Sequence, residues 1–171
     1  MGSVFLVTGS PGTGKTTIIR KALSQIQLRS GGFYTEEIRL SGMRRGFKII
    51  TLNGVEAVPA HIDFHDWPRI GKYGVNLENL ENVAVRSILE ASEEAELVVI
   101  DEIGKMEMLS PSFRKAVLQA INSGKKILSS IMLKPHPFAD SIKNLPGAQL
   151  IQLTLNNREH VLQYLVRELR H

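Results

Sequence analysis

Residues 9–16 read Gly9-Ser10-Pro11-Gly12-Thr13-Gly14-Lys15-Thr16 and are the most informative stretch of this chain. They match the phosphate-binding pattern G-x-x-x-x-G-K-[ST] in full. An apolar run, Val4–Thr8, comes directly before them, and a segment with helical periodicity, residues 16–27, follows. A strand, a glycine-rich turn and a helix are the context that this pattern needs. The sequence therefore predicts a phosphate-binding loop at the first strand-to-helix turn.

The residue types of this loop follow from the chemistry of phosphate binding. Glycines let several backbone N–H groups converge on phosphate oxygens, and the helix N-terminus adds a partial positive charge. Lys15 is expected to reach the β- and γ-phosphates, and the Thr16 hydroxyl to ligate Mg²⁺. Thr17 either packs within the fold or contacts the α-phosphate, and the sequence leaves both open.

Two adjacent carboxylates, Asp101 and Glu102, follow the apolar run 97–100. That run has no polar alternation, so it predicts a central strand that is buried on both faces. In a doubly wound sheet, the carboxyl ends of the strands border the ligand crevice. We therefore expect Asp101 to join the Mg²⁺ site, and Glu102 to orient or deprotonate an attacking water molecule.

The remaining sequence alternates short β-branched runs with amphipathic segments, which predicts an α/β fold. We expect a mostly parallel, doubly wound sheet with helices on both faces and an inserted β-hairpin. Strands are predicted over residues 4–8, 33–40, 47–52, 55–58, 97–100, 126–132 and 149–153. Helices are predicted over residues 16–27, 77–95 and 111–122, with a short one ending near 144 and a last one capped by Asn156. Residues 59–76 are predicted to be a loop, and residues 1–171 to form a single P-loop domain.

The composition excludes several other classes of protein. The chain has 171 residues and no cysteine, which excludes a disulfide scaffold and a cysteine-ligated metal site. No apolar run approaches the roughly 20 residues of a membrane span, so we expect a cytoplasmic protein without membrane contact. The net charge of +4 favours an anionic ligand. However, the basic residues are scattered, so nucleic acid is not an expected partner. A monomer or a weak homo-oligomer is expected.

Several weaker candidates have a functional and a structural interpretation. Ser129 and Ser130 would either sense the γ-phosphate or bond to backbone inside the core, and Arg114 is either an arginine finger or a solvated helix residue. His61 and His65 have the spacing of metal ligands but lie in a segment without a third ligand cluster. Arg44-Arg45 would either form a lid over the phosphates or be exposed turn residues. Trp67 and Tyr73 would either stack on a base or cover the core, and Arg158 could pack against the base.

Base selectivity is expected to be loose, because the pattern D-x-x-G at 101–104 has no N-K-x-D guanine reader beside it. ATP, GTP and other nucleoside triphosphates are therefore all expected substrates. A nucleotide or nucleoside kinase, in which Glu102 would take a proton from an acceptor hydroxyl, is the main alternative. A non-catalytic or nucleic-acid-coupled nucleotide switch is the third.

Seven stretches of the chain resemble the small P-loop nucleoside-triphosphatase family typified by cancer-related nucleoside-triphosphatase, and they occur in the same order as in that family. The most specific are Gly32-Phe33-Tyr34-Thr35-Glu36-Glu37 and Asp101-Glu102-Ile103-Gly104-Lys105-Met106-Glu107. The full set of stretches is 9–17, 32–39, 46–50, 73–76, 99–107, 145–147 and 157–158. Residues 58–69 match no pattern of the family.

The resemblance implies a P-loop fold of the branch that has an added strand and a catalytic glutamate. It also implies slow, Mg²⁺-dependent hydrolysis of several nucleoside triphosphates to diphosphate and phosphate. Its nucleotide-contacting residues would be those of the loop and of the strand before the acidic pair: Gly9, Ser10, Pro11, Gly12, Thr13, Gly14, Lys15, Thr16, Leu97, Val98, Val99, Ile100, Asp101, Glu102, Ile103 and Gly104.

Overall fold

A computed structural model describes residues 2–171, whose strands join in a single nine-stranded sheet. In chain order the strands are β1 (Val4–Thr8), β2 (Ser30–Leu40), β3 (Met43–Thr51), β4 (Glu56–His61), β5 (Arg69–Ile70), β6 (Tyr73–Val75), β7 (Leu97–Ile103), β8 (Lys126–Ile131) and β9 (Ala148–Gln152). The helices are α1 (Lys15–Ser24), α2 (Leu77–Leu80), α3 (Arg86–Glu94), α4 (Pro111–Asn122), α5 (Pro137–Lys143) and α6 (Arg158–Arg170). A π-helical stretch, Glu81–Val85, joins α2 to α3, and a 3₁₀ turn, Glu107–Leu109, precedes α4.

The sheet has a parallel half and an antiparallel half, in the order β5-β6-β4-β3-β2-β7-β8-β1-β9. Strands β2, β7, β8, β1 and β9 pair in parallel. Strands β3, β4, β6 and β5 extend the sheet from β2 by antiparallel pairing. The predicted α/β fold is confirmed, and the sheet is mixed because the inserted strands continue it.

The predicted loop over residues 59–76 is wrong in part, because this segment contains the end of β4 and all of β5 and β6. Two of its strands have only two and three residues, which is too short for an alternating pattern to stand out. Pro59 within β4 also reads as a strand breaker in the sequence. Tyr73 and Val75 are nonetheless buried, and they form a small apolar cluster with Ala60.

Two apolar layers cover the parallel half, one on each face of the sheet. Val4 and Leu6 of β1 belong to the layer that packs against α3, α4 and α5. Phe5 and Val7 belong to the layer that packs against α1 and α6. Every residue of β1 is buried, as a strand with helices on both faces requires. This packing fixes the carboxyl end of β1, from which the phosphate-binding loop leaves the sheet.

The helix ends agree with the sequence at α4 and differ at α6. At α4 the Ser110 hydroxyl accepts a hydrogen bond from Phe113 N–H at 3.1 Å, so the predicted N-cap is confirmed. At α6 the N-cap is Asn157 rather than Asn156. The Asn157 side chain accepts from Thr154 N–H and donates to the Gln152 carbonyl, both at 2.8 Å, and so fixes the turn after β9. Within residues 2–171, no helix has the length and apolar character that crossing a membrane requires.

Candidate active site

The loop between β1 and α1 has the conformation that its glycines allow. Gly12 and Gly14 have φ angles of 83° and 90°, in the left-handed region that favours glycine. The Thr13 hydroxyl donates to the Ser10 carbonyl at 2.9 Å and closes the turn. Gly14 directly precedes the first turn of α1, so the free N–H groups of that turn face the loop. This arrangement forms an anion-binding concavity.

Lys15 lies at the first position of α1 with its ammonium group held above the loop. Its Nζ donates to the Gly9 carbonyl at 2.8 Å and lies 4.0 Å from Glu102 Oε2. The side chain is only 14% exposed, so its charge is poorly screened by water. Lys15 thus links the phosphate-binding loop to the acidic pair.

Asp101 lies near the end of β7 and is almost fully buried, with 1% of its surface exposed. Its Oδ2 accepts from the Thr16 hydroxyl at 2.7 Å and from Thr35 N–H at 3.5 Å, while its Oδ1 accepts from the Ser130 hydroxyl. Burial raises the pKa of Asp101, and the hydrogen bonds from Ser130, Thr16 and Thr35 oppose that rise. Four segments of the parallel half therefore converge on this carboxylate.

Ser129 and Ser130 have the structural role that the sequence left open. The Ser129 hydroxyl lies 2.7 Å from the Ile100 carbonyl and 2.8 Å from the Ser130 carbonyl, where it bonds to backbone. The Ser130 hydroxyl donates to Asp101. Both residues are completely buried, so neither hydroxyl is free to sense a phosphate.

Glu102 and Glu107 lie on either side of Gly104. A Cβ atom placed on Gly104 would lie 2.7 Å from Glu102 Oε1 and 2.9 Å from Glu107 Oε2. Burial raises the pKa of Glu102, and the charge of Lys15 opposes the rise. Burial, together with the charge of Glu102, raises the pKa of Glu107 to about 8. The site therefore contains two neighbouring carboxyl groups whose pKa values are both raised.

These groups border a cavity of about 480 Å³. One end is formed by the phosphate-binding loop and the start of α1. The middle is formed by Thr35, Glu36 and the acidic pair, and the far end by side chains of the antiparallel half, among them Arg44, Phe47 and Ile70. The volume falls in the range that is typical of small-molecule sites.

The structure brings some of the predicted nucleotide contacts to this cavity. Pro11, Gly12, Gly14, Lys15, Thr16, Thr17, Asp101 and Glu102 all line it. Thr17 is exposed rather than packed within the fold, and its contact with the α-phosphate stays a prediction. Gly9, Ser10 and Thr13 belong to the loop without lining the cavity, and Gly104 lies between Glu102 and Glu107.

The strand before the acidic pair contributes its side chains to the core rather than to the cavity. The side chains of Leu97, Val98, Val99 and Ile100 are completely buried in the two apolar layers, and Ile103 is 1% exposed. None of them lines the cavity. The strand delivers Asp101 and Glu102 to the site while its own side chains form the core, and a nucleotide contact from residues 97–100 stays a prediction.

Of the candidate arginines, only Arg44 lines the cavity. Arg158 lies beside the loop, its Nη1 3.7 Å from a Cβ placed on Gly14, and does not line the cavity. Arg114 donates to the Met108 carbonyl and also lies outside the cavity. Arg44 lines the cavity, whereas Arg45 lies 4.0 Å from Asp63.

The remaining candidates do not form a second site. Trp67 is half-buried and does not line the cavity, and Tyr73 is buried. His61 Nδ1 lies 3.5 Å from Asp63 Oδ2. Among residues 2–171 no three histidine or carboxylate side chains form a group that could hold a metal ion. The structure therefore supports no metal site at His61 and His65.

Four residues that line the cavity have no role predicted from the sequence: Thr35, Lys105, Met106 and Glu107. Glu107 had one usable signal, its five-residue spacing from Glu102 across a glycine. The sequence contains no signal for the contribution of Thr35. This residue reaches Asp101 because β2 pairs with β7, and that pairing joins residues that are far apart in sequence.

Thr16 and Asp101 fit a magnesium ion. Their oxygens lie 2.7 Å apart, and both are hard donors of the kind that Mg²⁺ prefers. A buried carboxylate whose pKa is raised gains from a neighbouring cation, since the cation stabilises its charged form. Two protein oxygens leave room for phosphate and water ligands, which is how Mg²⁺ is usually held with nucleotides.

Comparison with known proteins gives a consistent result. A family described as NTPase matches residues 4–166. The nucleoside-triphosphatase THEP1 of Thermotoga sp. strain RQ2 is 46% identical over 166 residues, covering 97% of this chain and 95% of that protein. The cancer-related nucleoside-triphosphatase of Homo sapiens is 38% identical over 180 residues, covering 95% and 94%.

Solved structures agree with the sequence relatives. The crystal structure of THEP1 from the hyperthermophile Aquifex aeolicus superposes with a TM-score of 0.90 at 36% identity, covering 98% of this chain and 99% of that one. The solution structure of a human cancer-related nucleoside triphosphatase gives 0.82 at 36% identity, covering 99% and 98%. The resemblance seen in the sequence is therefore confirmed over nearly the whole chain.

Proposed function

This chain belongs to the NTPase family and is a nucleoside-triphosphatase, and we propose that it hydrolyses several nucleoside triphosphates to diphosphate and phosphate with Mg²⁺ bound. The observation that carries this mechanism is the position of Glu102. Its carboxylate is one-third exposed, lines the cavity and lies 4.0 Å from the ammonium group of Lys15. A base is thereby placed next to the group that holds the terminal phosphates.

The phosphate chain is held by the loop. The backbone N–H groups of residues 9–14 and of the first turn of α1 surround the phosphate oxygens. The ammonium group of Lys15 exchanges its contact with the Gly9 carbonyl for the β- and γ-phosphates. The γ-phosphate then lies near Glu102, because Lys15 approaches both groups.

Thr16 and Asp101 would hold the metal. When bound, Mg²⁺ neutralises charge on the phosphate oxygens and so favours attack at phosphorus. The chain keeps Asp101 in place through Ser130, Thr16 and Thr35, all of which donate hydrogen bonds to its carboxylate. The protein therefore supplies an already oriented carboxylate.

Glu102 acts on the nucleophile. Its carboxylate accepts a proton from water as the water oxygen forms a bond to the γ-phosphorus. The bond from that phosphorus to the β,γ-bridging oxygen breaks in line, and the nucleoside diphosphate leaves. Lys15 favours the charged form of Glu102 that this step needs, against the effect of burial.

Broad base specificity and slow turnover follow from two features. Arg158, beside Gly14 at the start of α6, offers a flat guanidinium group on which any base can stack. Of the two candidate arginine fingers, Arg114 donates to the Met108 carbonyl outside the cavity and Arg44 is bonded to Glu37, so neither is free to reach the γ-phosphate. An arginine finger accelerates hydrolysis by about 10³- to 10⁵-fold, so turnover without one is slow.

The test is the variant Glu102→Gln. We expect hydrolysis of Mg²⁺–ATP and Mg²⁺–GTP to fall by about 100-fold or more, because the amide cannot accept the proton. Nucleotide affinity should stay close to that of the wild type. The measurement is phosphate release together with binding of a non-hydrolysable ATP analogue.

The matched control is Glu93→Gln, which changes an exposed glutamate of α3 that does not line the cavity. It should leave both hydrolysis and binding unchanged. Hydrolysis at the wild-type rate in Glu102→Gln would show that another group acts as the base.

A further inference from the structure

Hydrolysis uses only part of the cavity. The phosphate-binding loop forms one end of the cavity of about 480 Å³, and an attacking water molecule needs only about 30 Å³ of the space beyond the phosphates. Its far end is lined by the apolar side chains of Phe47, Ile70 and Met106, each partly exposed. Apolar surface that faces a concavity is typical of a ligand site. We call this far end, together with Arg44 and Glu107, the acceptor chamber.

The base of the nucleoside triphosphate does not need the acceptor chamber. Arg158, the proposed base contact, lies beside Gly14 and outside the cavity. The chamber contains Glu107 and adjoins Glu102, the proposed base, whose carboxylate lies 4.0 Å from the ammonium group of Lys15. Its position is therefore that of a second molecule facing the γ-phosphate.

The polar wall of the chamber is already held in place. Arg44 Nε donates to the Tyr73 hydroxyl at 2.8 Å, and Arg44 Nη1 donates to Glu37 Oε1 at 3.1 Å. The guanidinium carbon lies 5.0 Å from the ring centroid of Phe47. Three strands, β2, β3 and β6, thus fix one arginine, and ordering it costs little when a ligand binds.

The charges of the chamber favour a neutral occupant. Glu37 balances the charge of Arg44. A phosphorylated acceptor would place a further negative charge near Glu36, Glu37 and Glu102, whereas a neutral molecule would not. Apolar side chains and fixed N–H donors together suit a ring with a polar edge, as in a nucleoside.

We propose that the acceptor chamber binds a neutral, hydroxyl-bearing molecule of nucleoside size and that the protein transfers the γ-phosphoryl group to it. This inference rests on the proposed function, because the same triphosphate is the donor and the same Glu102 is the base. Hydrolysis is then the reaction that occurs when water occupies the position of the acceptor hydroxyl.

The transfer step balances without any further reagent. The hydroxyl oxygen of the acceptor forms a bond to the γ-phosphorus, and the bond from that phosphorus to the β,γ-bridging oxygen breaks. The hydroxyl proton passes to the Glu102 carboxylate. The products are the phosphorylated acceptor and the nucleoside diphosphate.

The experiment uses ATP labelled in the γ-phosphate and an excess of adenosine, guanosine, cytidine, uridine or thymidine. Labelled nucleoside monophosphate and labelled free phosphate are separated and counted. We expect label in the monophosphate of at least one nucleoside, with free phosphate reduced in proportion.

A variant whose side chain fills the acceptor chamber tests whether the transfer takes place there. In Ile70→Trp the ratio of transfer to hydrolysis should fall about tenfold or more, because the indole occupies the space of the acceptor. Val55→Trp, at an exposed position outside the cavity, is the matched control and should keep the ratio of the wild type. Met106→Trp replaces Ile70→Trp if the latter does not fold.

The outcomes separate this inference from the proposed function. Phosphate release without any labelled nucleoside overturns the acceptor chamber and leaves hydrolysis in place. Transfer that is unchanged in the filled variants places the acceptor elsewhere and also overturns it. The absence of both transfer and phosphate release contradicts the proposed function itself.

Discussion

Glu107 is held in an environment that suits a neutral carboxyl group. Burial and the charge of Glu102 raise the pKa of Glu107 to about 8, far above its value in an unfolded chain. The folded protein therefore binds more protons than the unfolded one between about pH 4.5 and 8. Stability contributed by this group is complete below that window and is lost as the pH rises through it.

We expect Glu107→Gln to reduce this loss, since an amide does not ionise. Across the window, the free energy of unfolding should fall by about 5 kcal/mol less in the variant than in the wild type. The measurement is urea unfolding at several pH values, with Glu93→Gln as the control. Parallel pH profiles for the wild type and Glu107→Gln would contradict the raised pKa.

At the scale of elements, α4 is tied to the helix before it by one side chain. The Ser110 hydroxyl caps α4 by accepting from Phe113 N–H, and it donates to Glu81 Oε1 at 2.7 Å in the π-helical stretch. Ser110 is completely buried, so water cannot replace either hydrogen bond.

We expect Ser110→Ala to destabilise the protein by about 2 kcal/mol, because it removes the cap and leaves Glu81 without its donor. Ser112→Ala, which changes an exposed serine in the first turn of the same helix, should cost much less. Thermal and urea unfolding of both variants give the comparison. An equal loss of stability in Ser110→Ala and Ser112→Ala would show that the hydrogen bonds of Ser110 add no measurable stability.

Elements that depend on local pattern are the ones the sequence predicts well. The phosphate-binding loop and the buried run before Asp101 are short, contiguous patterns, and the structure has a strand, loop and helix at the first and a central strand at the second. The strands β5 and β6 are too short to give a pattern, and their pairing is set by contacts with β4. The acceptor chamber could not be predicted, because Arg44, Ile70 and Met106 meet only after the antiparallel half has folded.

At the scale of the whole molecule, binding of the proposed ligands, Mg²⁺ and a nucleotide, should raise stability, because their site exists only in the folded chain. With Mg²⁺–ADP at 100 times its dissociation constant, the gain is about 2.7 kcal/mol. For a protein of this size we expect the midpoint of thermal unfolding to rise by about 5 to 10 °C.

Removal of the metal should reverse part of this gain. Chelation with EDTA should lower the midpoint measured with ADP, and Thr16→Val should lose most of the difference that EDTA makes in the wild type. The two unfolding curves, with and without EDTA, are compared for each protein. A shift in the wild type that EDTA leaves unchanged would exclude Thr16 and Asp101 as the metal site.

The position of β1 has a consequence for synthesis of the protein on the ribosome. Val4 pairs with Ile127 of β8 on one side and with Ala148 of β9 on the other. A nascent chain that has emerged only as far as Ser123 contains neither neighbour, so its first strand and phosphate-binding loop have no sheet to join. The nucleotide site can therefore form only late in translation, after β8 and β9 have been made, and until then the apolar N-terminal strand has no sheet that buries it.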